Sequence, residues 1–139
     1  MSDDITFSII KPDAFSRGDA ARILFRIAEA GFTIAALKMI HMTRAQAEGF
    51  YAVHRERPFF EGLVEFMSTG PVMVMVLRHP DAVERFRSLI GTTDPAKAAP
   101  GTIRAEYGTT VQRNAVHGSD SAENAFKEAS YFFSAIEIF

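Results

Sequence analysis

Apolar residues along this chain keep two different periods. Ile5, Phe7 and Ile9 alternate with Thr6 and Ser8, which predicts a first strand ending near Lys11-Pro12. From Asp19 the spacing turns helical. Asp19 stands where a cap would, Ile23, Leu24 and Ile27 form the apolar stripe, and Gly31 closes the turn. Phe32 to Met42 reads as a second strand. Thr43 with Gln46 has the capping-box pattern and opens a helix through Phe50 and Tyr51. Pro58 breaks that element, and Phe60 to Met67 predicts another short helix. Val72 to Leu77 is apolar on both faces, the signature of an inner strand. Asp81 and Glu84 repeat the capping pattern ahead of a helix lined by Val83, Phe86, Leu89 and Ile90 and closed by Gly91.

After Gly91 the periodicity fails. Gly91 to Gly108 mixes Gly, Pro, Thr and Ala and reads as a long ordered loop. Loops of that length in compact domains are usually functional or disordered. Val111 to Val116 predicts a short last strand. Ser121 opens a final helix with Ala125, Phe126, Ala129, Phe132 and Phe133 facing inward. Strands and helices alternate without repeat or linker, which argues an α/β or α+β sandwich. The pattern alone leaves the sheet parallel or antiparallel.

Composition narrows the class. A chain of 139 residues fits one domain, here 1–139, and can bury a continuous core. Its 47% apolar and 23% charged residues are those of a soluble globular protein. A formal net charge of -2 supplies no global field for nucleic acid or anionic lipid, so any anion needs a local cluster of Lys and Arg. The absence of cysteine excludes disulfides, thiolate metal sites and a Cys nucleophile, and it fits a reducing compartment. The polar start, MSDDITFS, is unlike a signal peptide, and no apolar run approaches the roughly 18–20 residues of a membrane span. A soluble cytoplasmic protein is expected.

Neither glycine-rich phosphate signature, GxxxxGK[ST] or GxGxxG, occurs in the chain. Bound phosphates would therefore be gripped by side chains. Lys11, Arg87 and Arg104 are candidates, although each alone reads as a solvated surface charge and their convergence does not follow from spacing. His41 and His79 read as structural or exposed. His54 lies three residues after Tyr51, so the pair shares a helical face, as site or as packing. His117 stands apart because its neighbours in "NAVHGSDS" are small and polar. Such a histidine is either a satisfied buried ring or one that meets a large anionic substrate. No second His or acid falls at metal-ligand spacing around it, which argues against zinc.

Three stretches, "IIKPDA" (Ile9 to Ala14), "PGTIRAEYG" (Pro100 to Gly108) and "NAVHGSDS" (Asn114 to Ser121), together resemble the nucleoside diphosphate kinase family, in order and over nearly the whole chain. The resemblance implies transfer of the terminal phosphate of a nucleoside triphosphate to a nucleoside diphosphate, with Mg²⁺ carried on the nucleotide phosphates. It makes His117 the nucleophile, oriented by Glu128 with help from Ser119. It assigns Lys11, Arg87, Thr93 and Arg104 to the phosphates, with Tyr51 and His54 nearby. Asn114 falls to the ribose, and Phe59 and Val111 to the two faces of the base.

The implied fold is α+β and ferredoxin-like. Four antiparallel strands run in βαββαβ order with helices on one face, to which further helices and a loop are added. The segment from Gly91 to Gly108 matches a family loop that lines the site and contributes to subunit contacts. Two departures concern assembly. Tyr131 stands where many relatives carry Trp, and the chain stops at Phe139 without the longer tail of many hexameric relatives. A homo-oligomer built from dimers is implied, the tetramer favoured over a hexamer or a dimer. A non-catalytic nucleotide-binding module on the same fold is the alternative, and the presence of the full catalytic set weighs against it.

Overall fold

The computed structural model describes Asp4 to Phe139; the first three residues of the polar N-terminal stretch lie outside the described residues. Its centre is a four-stranded antiparallel sheet in the order β2-β3-β1-β4. The strands are β1 (Ile5–Ile10), β2 (Thr33–Ile40), β3 (Val72–Arg78) and β4 (Val116–Gly118). Between them run α1 (Pro12–Ser16), α2 (Ala20–Glu29), α3 (Arg44–Phe50), α4 (Phe60–Met67), α5 (Ala82–Ile90) and α6 (Ile103–Tyr107), and α7 (Ala122–Phe132) follows β4.

Side-chain alternation on the strands feeds two separate cores. Ile5, Phe7 and Ile9 of β1 pack with Val72, Val74 and Val76 of β3 under α3, α4 and α7. On the opposite face Ile10, Met75 and Leu77 meet Ile23 and Ile27 of α2 and Phe86 and Ile90 of α5. The core pair α2 and α5 thus covers one face, as the implied fold requires, and the added helices close the other. Closure on both sides explains why the polar half of the β1 alternation did not mean exposure: Thr6 and Ser8 are fully buried.

Local signals hold where side chains bond the backbone. Thr43 and Gln46 form the reciprocal capping box of α3, and Ser121 accepts from the Asn124 N–H to start α7. Two expected caps fail. Asp19 flanks α2 but its carboxylate pairs with Arg17 and Arg22. Asp81 flanks α5 with φ 54 in the left-handed region and caps nothing.

Four further expectations are corrected. The segment from Gly91 to Gly108 is not all loop, because it holds a 3₁₀ turn at Pro95–Lys97 and α6, whose start is capped by Thr102. That helix has too few residues for a period to show. The last strand is Val116–Gly118, not Val111 to Val116. Thr109 and Thr110 instead turn back on Arg113 through its carbonyl. Phe126 is exposed on α7, whereas Ala125, Ala129 and Phe133 face inward. The second strand is shorter than Phe32 to Met42, and its two predicted ends are buried flanks.

Candidate active site

The short strand β4 pairs with β1, setting His117 opposite Ile9. Gly118, next to it, makes that seat possible: a Cβ there would come within 2.9 Å of Ile90 on α5. Small size in this stretch therefore serves packing as well as access. Edges of the Phe7 and Phe50 rings approach the imidazole, with centroids 6.0 and 5.6 Å away. The ring's Nε2 lies 2.8 Å from Oε1 of Glu128 on α7. Because an ionised carboxylate can only accept, Nε2 carries the proton in that contact and Nδ1 of the neutral ring keeps its lone pair. Ser119 Oγ donates its single proton to the same Glu128 oxygen at 2.7 Å and accepts from the Phe7 N–H at 3.1 Å. The imidazole is thus held in place and in tautomer by a carboxylate that is itself anchored to β1.

A cleft of about 820 Å³ opens over this arrangement. Lys11, at the end of β1, lies in its floor with Nζ 2.9 Å from Oδ1 of Asn114. Burial, with repulsion from Arg104, pushes the Lys11 ammonium down to about 8, while Asp13 acts in the opposite direction. Arg104, on α6, is likewise held down to about 10 by burial and by Arg87. Its two Nη atoms donate to the carbonyls of Gly91 at 3.1 Å and Val116 at 2.9 Å, but its Nε has no partner among the described residues. Gly91 can turn there because φ is 91, a value that favours glycine. Arg87 reaches in from α5 with Nη1 3.5 Å from the Ser119 carbonyl.

The remaining predicted residues also line the cleft. Asn114 is almost fully buried and spans the floor, its Nδ2 donating to the Thr93 carbonyl at 3.0 Å. Tyr51 is buried, its hydroxyl is unpaired among the described residues, and burial with the nearby Glu128 charge raises its pKa. His54 stacks beside it in a 3₁₀ turn, 6.5 Å between centroids, so the two do share a face. Phe59 and Val111 stand at the mouth, half exposed and free to receive a flat apolar group. Every predicted site residue but Ser119 lines the cleft, and Ser119 acts behind Glu128.

Sequence reasoning passed over Phe50, Asp120 and Asp13. Phe50 looked like one more apolar helix position, and Asp120 like one of the polar neighbours of His117 with no role of its own. Asp13 sits inside "IIKPDA" directly after a buried strand, a place where an acid needs a partner. Its partner is the Ala115 N–H, 3.1 Å from Oδ2.

Fold and cleft together define an α+β protein that gathers buried cations around a held imidazole, a site built for a polyanion. A family model described as nucleoside diphosphate kinase matches residues 4–138, and the chain belongs to that family. A nucleoside diphosphate kinase of Desulfovibrio desulfuricans is 56% identical over 133 residues, covering 96% of both chains. That of Chlamydia pneumoniae is 56% identical over 96% of this chain and 92% of its own. Among solved structures, the Aquifex aeolicus nucleoside diphosphate kinase superposes with TM-score 0.95 at 50% identity, covering 98% of this chain and 99% of its own. A halophilic nucleoside diphosphate kinase of Halobacterium salinarum, solved in complex with CDP, gives TM-score 0.92 at 38% identity over 99% of this chain and 91% of its own.

Proposed function

We infer that this protein transfers the terminal phosphate of a nucleoside triphosphate to a nucleoside diphosphate by way of a phosphohistidine on His117. The observation that carries the reading is the His117–Glu128 contact of 2.8 Å at the edge of a cleft lined by Lys11, Arg87 and Arg104. The Nδ1 lone pair attacks the γ-phosphorus, an N–P bond forms, and the bond to the bridging oxygen breaks. The electron pair leaves on the β-phosphate of the departing diphosphate. Glu128 balances the positive charge that develops on the ring, and Ser119 keeps Glu128 aligned. A diphosphate then enters the same cleft, its terminal oxygen attacks phosphorus, and the N–P bond breaks. One site serves both nucleotides in turn, so the kinetics are ping-pong.

Lys11, Arg87 and Arg104 gather the charge spread over the phosphoryl oxygens, which is most of what such a transfer needs. Thr93, Tyr51 and His54 flank the phosphates, Asn114 takes the ribose, and Phe59 and Val111 enclose the base. Both base-facing side chains are apolar, so stacking accepts any base. Among the described residues no three His, Cys, Asp or Glu side chains group as a metal site; Mg²⁺ would be held chiefly by the nucleotide phosphates. Asp120 is the cleft carboxylate left for it once Glu128 is engaged. Bound there, Mg²⁺ neutralises phosphate charge.

The chain forms one domain of this family and works in the cytoplasm, a reading supported by the absence of cysteine and, among the described residues, of any helix fit to cross a membrane. It assembles as a homo-oligomer of dimers, the tetramer favoured. Exposed Leu37 and Met39 on the edge strand β2, beside exposed Ile136 and Phe139, support an apolar contact between copies. Light scattering that returned the mass of a single chain would sink that part.

The decisive experiment is incubation with γ-labelled ATP. Acid-labile, base-stable label on His117, chased off by added nucleoside diphosphate, is expected. A chain that binds nucleotide but takes no label is a binding module instead.

A further inference from the structure

The phosphotransfer reading uses the two carboxylates that line the cleft, Glu128 and Asp120. A third carboxylate, Asp13, buried in α1, has no part in that reading. Its Oδ2 accepts from the Ala115 N–H at 3.1 Å, and its Oδ1 is buried with no partner among the described residues. Ala115 has φ 74, a left-handed value that a residue with a Cβ adopts only when its surroundings impose it. The turn is closed over three residues by the Val116 N–H donating to the Asn114 carbonyl at 2.9 Å. The Ala115 carbonyl accepts in turn from the Lys11 N–H at 2.8 Å. The segment from Lys11 to Asp13 therefore grips both polar groups of the strained residue. Before that residue comes Asn114, whose amide meets Lys11 Nζ; after it, β4 begins and carries His117. A slip in the turn would move both.

Asp13 is also the anion that favours a charged Lys11, against burial and Arg104. Of the charges acting on that ammonium, Asp13 alone favours its charged form. Among the other titratable groups of the cleft, Arg87 and Arg104 are like charges and the Tyr51 hydroxyl is neutral. Glu128 is engaged with His117 and Ser119, and Asp120 is the carboxylate assigned to Mg²⁺.

We propose that Asp13 is a positioning residue for phosphotransfer. Its carboxylate pins the Ala115 turn that sets Asn114 and His117 against Lys11, and its charge keeps the Lys11 ammonium available to phosphate. The proposal rests on the phosphotransfer reading and adds to it a residue that touches neither nucleotide nor phosphorus.

Asp13→Asn separates the two roles, because the amide oxygen can still accept from Ala115 while the charge is gone. In the pH profile of kcat/KM, the alkaline fall of Asp13→Asn moves to lower pH. Asp13→Ala loses the turn contact too, and at pH 6.5 its kcat/KM falls about tenfold below that of Asp13→Asn. An Asp13→Asn profile with its alkaline fall unmoved overturns the proposal. Wild-type protein supplies an arm that needs no variant: by NMR, the Ala115 amide proton must shift in step with protonation of the Asp13 carboxylate. An amide that ignores that carboxyl also overturns it. Failure of the underlying reading looks different, since wild-type protein would then take no label from γ-labelled ATP.

Discussion

The two sides of the cleft satisfy their polar atoms in opposite ways. On the imidazole side every hydrogen bond is made within the fold: His117 to Glu128, Glu128 to Ser119, and Ser119 to the β1 backbone. On the cationic side Lys11 and Arg104 are buried and under-compensated, with Arg87 exposed beside them. Both buried cations are pushed toward neutrality, and among the described residues the Arg104 Nε has no partner. A satisfied network fixes one geometry and costs no reorganisation when the reaction begins. An unsatisfied cationic wall costs stability and recovers it only when an anion arrives. The first side is finished before substrate binds; the second is completed by it.

The largest effect should come from deleting the finished side's reacting group. His117→Ala is expected to lower phosphotransfer by at least about 10³-fold, since no other route through a covalent intermediate remains. The fold should survive, because His117 is only partly buried and Glu128 keeps its Ser119 bond. Steady-state turnover with a thermal melt reads both, and retention of more than a small fraction of activity contradicts the nucleophile assignment.

The cationic side should show itself through pH, with function and stability moving in opposite directions. Lys11 has an ordinary value of 10.5 and is held at about 8 in the fold. Above about pH 8 the free enzyme loses that charge, so kcat/KM should fall by roughly tenfold per pH unit. Over the same range the unfolded chain binds a proton that the folded chain lacks, so stability rises with pH. The cost carried below pH 8 is at most about 3 kcal/mol, recovered progressively above it. Tyr51, kept protonated by burial, opposes the trend once pH passes its ordinary value of 10.0. The denaturation midpoint should therefore rise between about pH 8 and 10. A flat midpoint across that interval would show that Lys11 is not paying for its burial.

The contrast between the two sides also decides what the sequence could reveal. Long periodic elements such as α2 and β3 were legible from their apolar spacing, and Thr43 with Gln46 announced α3 because a capping box is a local bond. Asp19 and Asp81 carried the same local letters and failed. At Asp19, nearby arginines claimed the carboxylate; at Asp81, the backbone adopted a left-handed turn that no short pattern encodes. The convergence of Lys11, Arg87 and Arg104 was invisible in spacing, because it depends on sheet order and on the short helix α6. The family motifs supplied it. The buried acid at Asp13 escaped for a related reason: its partner, Ala115, lies 102 residues away.

The smallest effect that still discriminates is at Glu128. If the carboxylate merely occupied a half-exposed helix face, Glu128→Ala would change stability by less than about 0.5 kcal/mol and leave the rate alone. The contact geometry argues otherwise, since one carboxylate oxygen serves both His117 and Ser119. Without it Nε2 loses the acceptor that fixes its proton, the tautomer with Nδ1 free is no longer selected, and the ring's developing charge has no counter-ion. Single-turnover phosphohistidine formation should then slow at least tenfold, about 1.4 kcal/mol of barrier. Glu128→Gln keeps an acceptor for Nε2 but not the charge, so it should fall between wild type and Glu128→Ala. Equal rates for Glu128→Gln and wild type would leave orientation as the whole of its role, whereas equal rates for Glu128→Ala and wild type would remove Glu128 from the mechanism and end the contrast between a finished side and a waiting one.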